Sequence, residues 1–167
     1  RVRRANVATS RRIASVSPRR RAQGRLTFPA AEWTELRGNV DTRLRKLAQG
    51  EAEASYLAAS GLDRLGIAAW DGLSFERVEL ARMVPAAGQG AVALQTRVAD
   101  ADRLAPAGCD RTTFSVMVER LFLAKLGEGC HTAFACHHAA GRLHLFREDC
   151  GRHEFEFPAT DRPAAAA

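Results

Sequence analysis

The stretch Leu36-Arg37-Gly38-Asn39-Val40-Asp41-Thr42-Arg43-Leu44 constrains the fold most, because the backbone must change period inside it. Val40, Leu44 and Leu47 recur at i, i+4 and i+7, the spacing of one apolar helix stripe, and Gly50 stands where a left-handed residue would close that helix. Gly38-Asn39 is then the turn by which a strand enters the helix, with Arg37 and Arg43 flanking it. The same order occurs twice more. Ile13 and Val16 lead into Ser17-Pro18-Arg19-Arg20-Arg21-Ala22-Gln23, where Pro18 suits the first turn of a helix and puts Ser17 and the first arginines at its anion-attracting N-terminus. Residues 54–59 form a short apolar run such as a buried parallel strand presents, and Gly61-Leu62-Asp63-Arg64-Leu65-Gly66 follows as a short helix with its own terminal glycine. Repeated strand, turn and helix predict an α/β domain with ligands at the C-terminal ends of its strands.

The second half changes character. Residues 79–98 read as strand, glycine-rich turn and strand, and Gly88 and Gly90 around Gln89 leave room for a close backbone approach. From Asp110 an amphipathic helix is expected, with Phe114, Met117, Val118, Leu121, Phe122 and Leu126 at helical spacing and Gly127 ending it. Gly129-Cys130, a strand over 134–140 and a hairpin of Arg142–Arg147 with 152–157 complete a separate α+β unit. The basic residues 1–12 lack a period and predict a loosely packed start, and the low-complexity residues 163–167 predict a disordered tail.

The net charge of +6 is unevenly spread. Residues 1–47 carry 13 Arg or Lys against Glu32, Glu35 and Asp41, a balance of +10, whereas the other 120 residues carry 12 against 16, a balance of −4. Such a field attracts nucleic acid, an acidic membrane surface or a small acidic ligand, and composition alone does not choose. Without an apolar run of the ~20 residues that cross a bilayer, or a secretory leader in residues 1–12, a cytoplasmic protein that avoids membranes is expected.

Arg19, Arg20, Arg37, Arg43 and Arg64 all fall beside expected strand-to-helix turns, and a guanidinium matches a carboxylate bidentately. Spacing alone also permits a solvated basic face. Cys109, Cys130, Cys136 and Cys150 follow neither a CxxC ribbon nor a disulfide framework and read as thiols. Zinc on Cys130, Cys136, His137 and Cys150 lacks the usual close ligand pair, so no metal is expected and the histidines read as unpaired surface groups. Cys130, between glycines and a strand, is the accessible thiol, although a buried cysteine is the commoner case.

The blocks 17–23, 36–47, 61–66, 85–91 and 126–130, in this order and spacing, resemble the porphobilinogen deaminase (hydroxymethylbilane synthase) family from Ile13 to about Phe157. Leu-Arg-Gly-Asn-Val-Asp-Thr-Arg-Leu is its most specific motif. The resemblance implies a periplasmic-binding-protein-like α/β domain, partial here, over residues 1–86. Residues 87–107 would be the crossover with a strand and helix of the first α/β domain, and 108–167 a small α+β domain carrying the cofactor. It implies a transferase of tetrapyrrole and heme biosynthesis that joins four porphobilinogen units, with loss of ammonia, on a dipyrromethane held by a thioether to Cys130. Arg19, Arg20, Arg37 and Arg43 would bind carboxylates of cofactor and growing oligopyrrole, Arg64 the incoming substrate, Ser17 would add a hydroxyl, and Gly38, Gly88 and Gln89 backbone and crossover contacts.

The family's catalytic aspartate has no counterpart in residues 1–12, so no catalytic residue is assigned, and a separate N-terminal domain is an expected requirement of a monomeric enzyme. Glu128 and His131 beside Cys130, and Ala14-Ser15-Val16-Ser17, also depart from the usual motif. The alternative is a non-catalytic tetrapyrrole- or anion-binding module. Nucleic-acid binding by the basic N-terminal third is the weaker rival and is not expected.

Overall fold

The computed structural model describes residues 1–4, 10–126 and 133–158. The elements of its first half are β1 (Val2–Arg4), β2 (Arg12–Ala14), α1 (Pro18–Thr27), β3 (Glu32–Thr34), α2 (Val40–Ala48), β4 (Ala54–Ser55), α3 (Ala59–Arg64) and β5 (Leu73–Phe75). Their strands form one mixed sheet in the order β3-β2-β4-β1-β5, with β2 parallel to both β3 and β4 and β1 antiparallel to β4 and β5.

Local chemistry sets the helix starts. Ser17 caps α1 by accepting from the Arg20 N–H at 3.4 Å, and Pro18 occupies a first-turn position where no N–H is needed. Asn39 caps α2 through the Thr42 N–H at 3.0 Å. Gly38 before it has φ +125°, and an added Cβ would meet the Thr42 side chain, so the turn requires glycine. The α2 stripe buries Leu44 and Leu47 against Val2 and Ala14, while Ile13 and Ala54 pack with Tyr56 and Trp33 on another cluster. Neighbours Ile13 and Ala14 thus join different clusters, as the period of two in a strand requires.

A chain of turns leads through two 3-10 turns and the one-turn helix α4 (Ala101–Leu104) to the second unit. There α5 (Asp110–Lys125) covers an antiparallel sheet of β6 (Phe134–Ala139), β7 (Arg142–Arg147) and β8 (Gly151–Glu156), in that order. Val118, Phe134, Cys136 and Leu143 form its core with Phe114 and Phe122. The two units meet along α1, where Ala22, Val84, Ala135 and Phe146 form a cluster and Arg152 donates to the carbonyls of Gln23 and Arg82 at 3.2 and 2.8 Å. Among the described residues no helix is long and apolar enough to cross a membrane.

Several expectations are corrected. Residues 2–4 are not loosely packed: β1 is an inner strand with Val2 buried, and what orders it is pairing to β4 and β5 rather than any local period. Residues 79–98 form turns and irregular chain instead of two strands: they join neither sheet, and Val92, Leu94 and Val98 stay exposed. The strand before Gly38 ends at Thr34, with buried Leu36 bridging to the turn, and the helix over 61–66 begins earlier, at Ala59. On α5 the apolar residues are split: Phe114, Val118 and Phe122 face the core while Met117 and Leu121 are 66% and 56% exposed. Gly127 and the 163–167 tail lie outside the described residues.

Gln23, fully buried, gives and takes at one peptide: its Oε1 accepts from the Val84 N–H at 2.7 Å and its Nε2 donates to the Val84 carbonyl at 3.0 Å. Gln23→Leu leaves the Val84 N–H without its partner, and urea denaturation is expected to show a loss of about 2 kcal/mol.

Candidate functional site

Three of the expected binding residues, Arg19, Arg20 and Gln89, line one open cleft of about 560 Å³ together with Arg1, Tyr56, Arg77 and the apolar Leu57, Val78 and Met83. The run 19–21 divides its work by helix angle. Arg21 turns from the cleft and donates to the carbonyls of Ser15 and Thr34, tying the ends of β2 and β3 to α1. Arg19, buried, donates through one Nη to the Val84 carbonyl at 2.9 Å and through the other to Gln89 Oε1 at 3.1 Å. Arg20 donates from one Nη to the Tyr56 carbonyl, just beyond β4, at 2.8 Å.

Four arginines line the cleft against one acid, Glu79. Among the described residues neither Arg19 nor Arg20 has an ion pair with an Asp or Glu. Burial, with the like charge of Arg20 added, lowers the Arg19 value to about 10, and burial followed by the charge of Arg43 lowers that of Arg20. Both remain cationic at neutral pH, so two like charges stand partly desolvated side by side.

The other expected residues that are described do not line this cleft. Arg43 lies near enough to act on Arg20 and is held by a bond from its Nε to the Gly38 carbonyl at 2.7 Å. Arg64 donates to the carbonyl of Gly90, joining α3 to the crossover. Arg37 is exposed, and its Nη2 and Nε both reach one oxygen of Glu35, at 2.9 and 3.0 Å. Ser17 acts as the α1 cap and Gly38 as the α2 turn. Cys130 lies outside the described residues. Arg1, Arg77 and Tyr56 escaped the sequence reading because nothing local marks them. Cys136 is buried, which pushes its thiol up to about 12, with the Glu119 charge adding to the shift.

A second set of side chains links the crossover to the α+β unit. Glu119 is 2% exposed; its carboxylate accepts from the Gly88 N–H at 2.5 Å, the His138 N–H at 2.8 Å and His137 Nδ1 at 2.9 Å. His138 is itself buried between the Ser115 hydroxyl and the Phe157 carbonyl. His137 and His138 are therefore paired structural groups, which corrects their reading as unpaired surface histidines. A lone acid within the apolar spacing of α5 was the available signal. Burial raises the Glu119 value, but the bonds from His137, Gly88 and His138 outweigh it and the net shift is downward. A carboxyl held below its unfolded value contributes stability that is complete above about pH 4.5 and drains as pH falls through the folded value. Glu119→Gln is expected to cost about 2–3 kcal/mol at pH 7, and the gap between variant and parent in urea denaturation is expected to narrow toward pH 3.

The chain matches the family model described as "Porphobilinogen deaminase, dipyromethane cofactor binding domain" over residues 2–105, which takes in every residue lining the cleft except Arg1. It is similar to the porphobilinogen deaminases of Roseiflexus sp. (strain RS-1), 42% identical over 122 residues, and Sphingopyxis alaskensis, 43% identical over 152 residues. The overlaps cover 71% and 85% of this chain but 39% and 47% of the relatives, so it spans less than half the length of either. The second overlap is long enough to run into the α+β unit. With the family model matching more than half of its residues, the chain belongs to the porphobilinogen deaminase family.

Proposed function

We propose that this chain forms the arginine-lined binding part and cofactor-carrying part of a hydroxymethylbilane synthase, a transferase that polymerises porphobilinogen with loss of ammonia in tetrapyrrole and heme biosynthesis. One observation carries the reading: Arg19 and Arg20 stand desolvated, side by side and without acidic partners at the strand ends. That donor set fits a ligand bearing several carboxylates, and about 560 Å³ lies within the ~300–1,000 Å³ of small-molecule sites.

The group implied is a dipyrromethane on Cys130. When bound, it would supply the nucleophilic pyrrole carbon to which further units are added. The chain's own residues would bind and orient. Arg20, with one arm anchored on Tyr56, has the rest of its guanidinium to offer a carboxylate. Arg19, fixed on Val84 and Gln89, would act as a placed charge, and Gln89 would read ligand position through the same bond. Arg43, Arg64 and Arg37, with Ser17, Gly38 and Gly88, would form an outer set that engages carboxylates as the product lengthens. Arginine suits a ligand that must shift between partners, because it stays charged throughout.

In this reading residues 1–86 are part of a periplasmic-binding-protein-like domain, 87–107 the crossover and 108–167 the cofactor-carrying unit of a cytoplasmic, monomeric enzyme. Intact-mass analysis of the chain expressed with porphobilinogen available tests it. The expected result is a covalent increment from two pyrrole units that Cys130→Ser abolishes. An unmodified chain, or an increment that survives the substitution, counts against cofactor attachment.

A further inference from the structure

We propose that Arg77 is a further carboxylate-binding residue of the cleft, and that Asp63 holds its guanidinium in reserve until an anionic ligand displaces it. The inference rests on the polycarboxylate reading above and deepens it by naming a cation that the family motifs do not supply.

The cleft cations differ in how they are held. Arg19 has both Nη groups bonded to Val84 and Gln89, and Arg20 has one bonded to the Tyr56 carbonyl. Arg1 is paired with Glu76, whose other oxygen lies 3.6 Å from Arg82. Arg77 lines the same cleft, yet among the described residues its ion pair is with Asp63 alone, at 3.6 Å. The two side chains are 77% and 64% exposed, so the pair is long, solvated and weak. A ligand carboxylate that binds the guanidinium bidentately exchanges a poor partner for a better one.

The backbone beneath Arg77 is fixed while its side chain is free to swing. β5 ends at Phe75, and the next residue, Glu76, donates its N–H to the Arg1 carbonyl at 2.8 Å, so Arg77 leaves the sheet at a set point beside β1. Asp63 stands on α3 immediately before Arg64. Arg19 is buried and Arg20 half-buried, both anchored on backbone carbonyls, and Arg77 is exposed and loosely held, so a pyrrole with two aliphatic carboxylates can place one on the inner pair and the other on Arg77. The class of ligand selected is thus a dicarboxylate rather than a monocarboxylate.

Calorimetric titration of the full chain with porphobilinogen at low salt tests this with four variants. Arg77→Gln is expected to weaken binding about tenfold. Asp63→Asn is expected to tighten it a few-fold, and to have no effect once Arg77 is already Gln. Arg82→Gln, which removes an equal charge beyond the cleft lining, is expected to cost much less than Arg77→Gln. Equal losses from the two arginine variants, or tightening by Asp63→Asn that persists without Arg77, would mean that only net charge matters and would overturn the inference. Binding by the parent that Arg77→Gln leaves intact overturns it too, with the polycarboxylate reading standing. Absence of binding by the parent removes both.

Discussion

The peptide of Val84 holds the two halves of this protein and its cleft in register. Its carbonyl accepts from Arg19 and from Gln23, and its N–H donates to Gln23, so one turn of α1 grips one residue of the segment that follows β5 through three bonds. The Val84 side chain meanwhile packs with Ala22, Ala135 and Phe146, which brings in the α+β sheet. Any change in the angle of α1 would therefore move the crossover, the second sheet and the cleft arginines together.

That anchoring explains how buried Arg19 and half-buried Arg20 persist side by side. Desolvating a guanidinium near another of like charge is unfavourable, and no acid pairs with Arg19 or Arg20 among the described residues. Carbonyl dipoles of Val84 and Tyr56 offset part of the cost, and the packing of α1 supplies the remainder. The site is in this sense incomplete. A ligand carboxylate would relieve the repulsion and so stabilise the fold as well as bind to it. The Glu119 knot works in the opposite sense: there a buried anion is saturated by donors from Gly88, His137 and His138, and it fixes the crossover to α5 and β6.

The parts of the fold legible in the sequence were those with local causes. Ser17-Pro18 and Gly38-Asn39 mark helix starts because the capping side chain lies three residues from the N–H it receives, and the hairpin of β7 and β8 shows in its alternation. What depends on distant partners was hidden or misread. β1 becomes a strand because β4 and β5 flank it, whereas the alternating residues 91–97 join neither sheet. The site divides in the same way. The helix-start rule located Arg19 and Arg20, but their convergence with Gln89 spans some 70 residues of chain and left no local trace. By the same rule Arg37 was equivalent to them, yet Glu35 two residues earlier holds it on the surface.

The structure of the full chain bound to porphobilinogen, solved by crystallography, tests most directly whether Arg19 and Arg20 are the ligand's anchor. The account predicts a ligand carboxylate within about 3 Å of the Arg20 guanidinium, with Arg19 still on Val84 and the Arg20 bond to Tyr56 retained. A ligand seated on the exposed face around Arg37, with Arg20 touching nothing but the Tyr56 carbonyl, would contradict it.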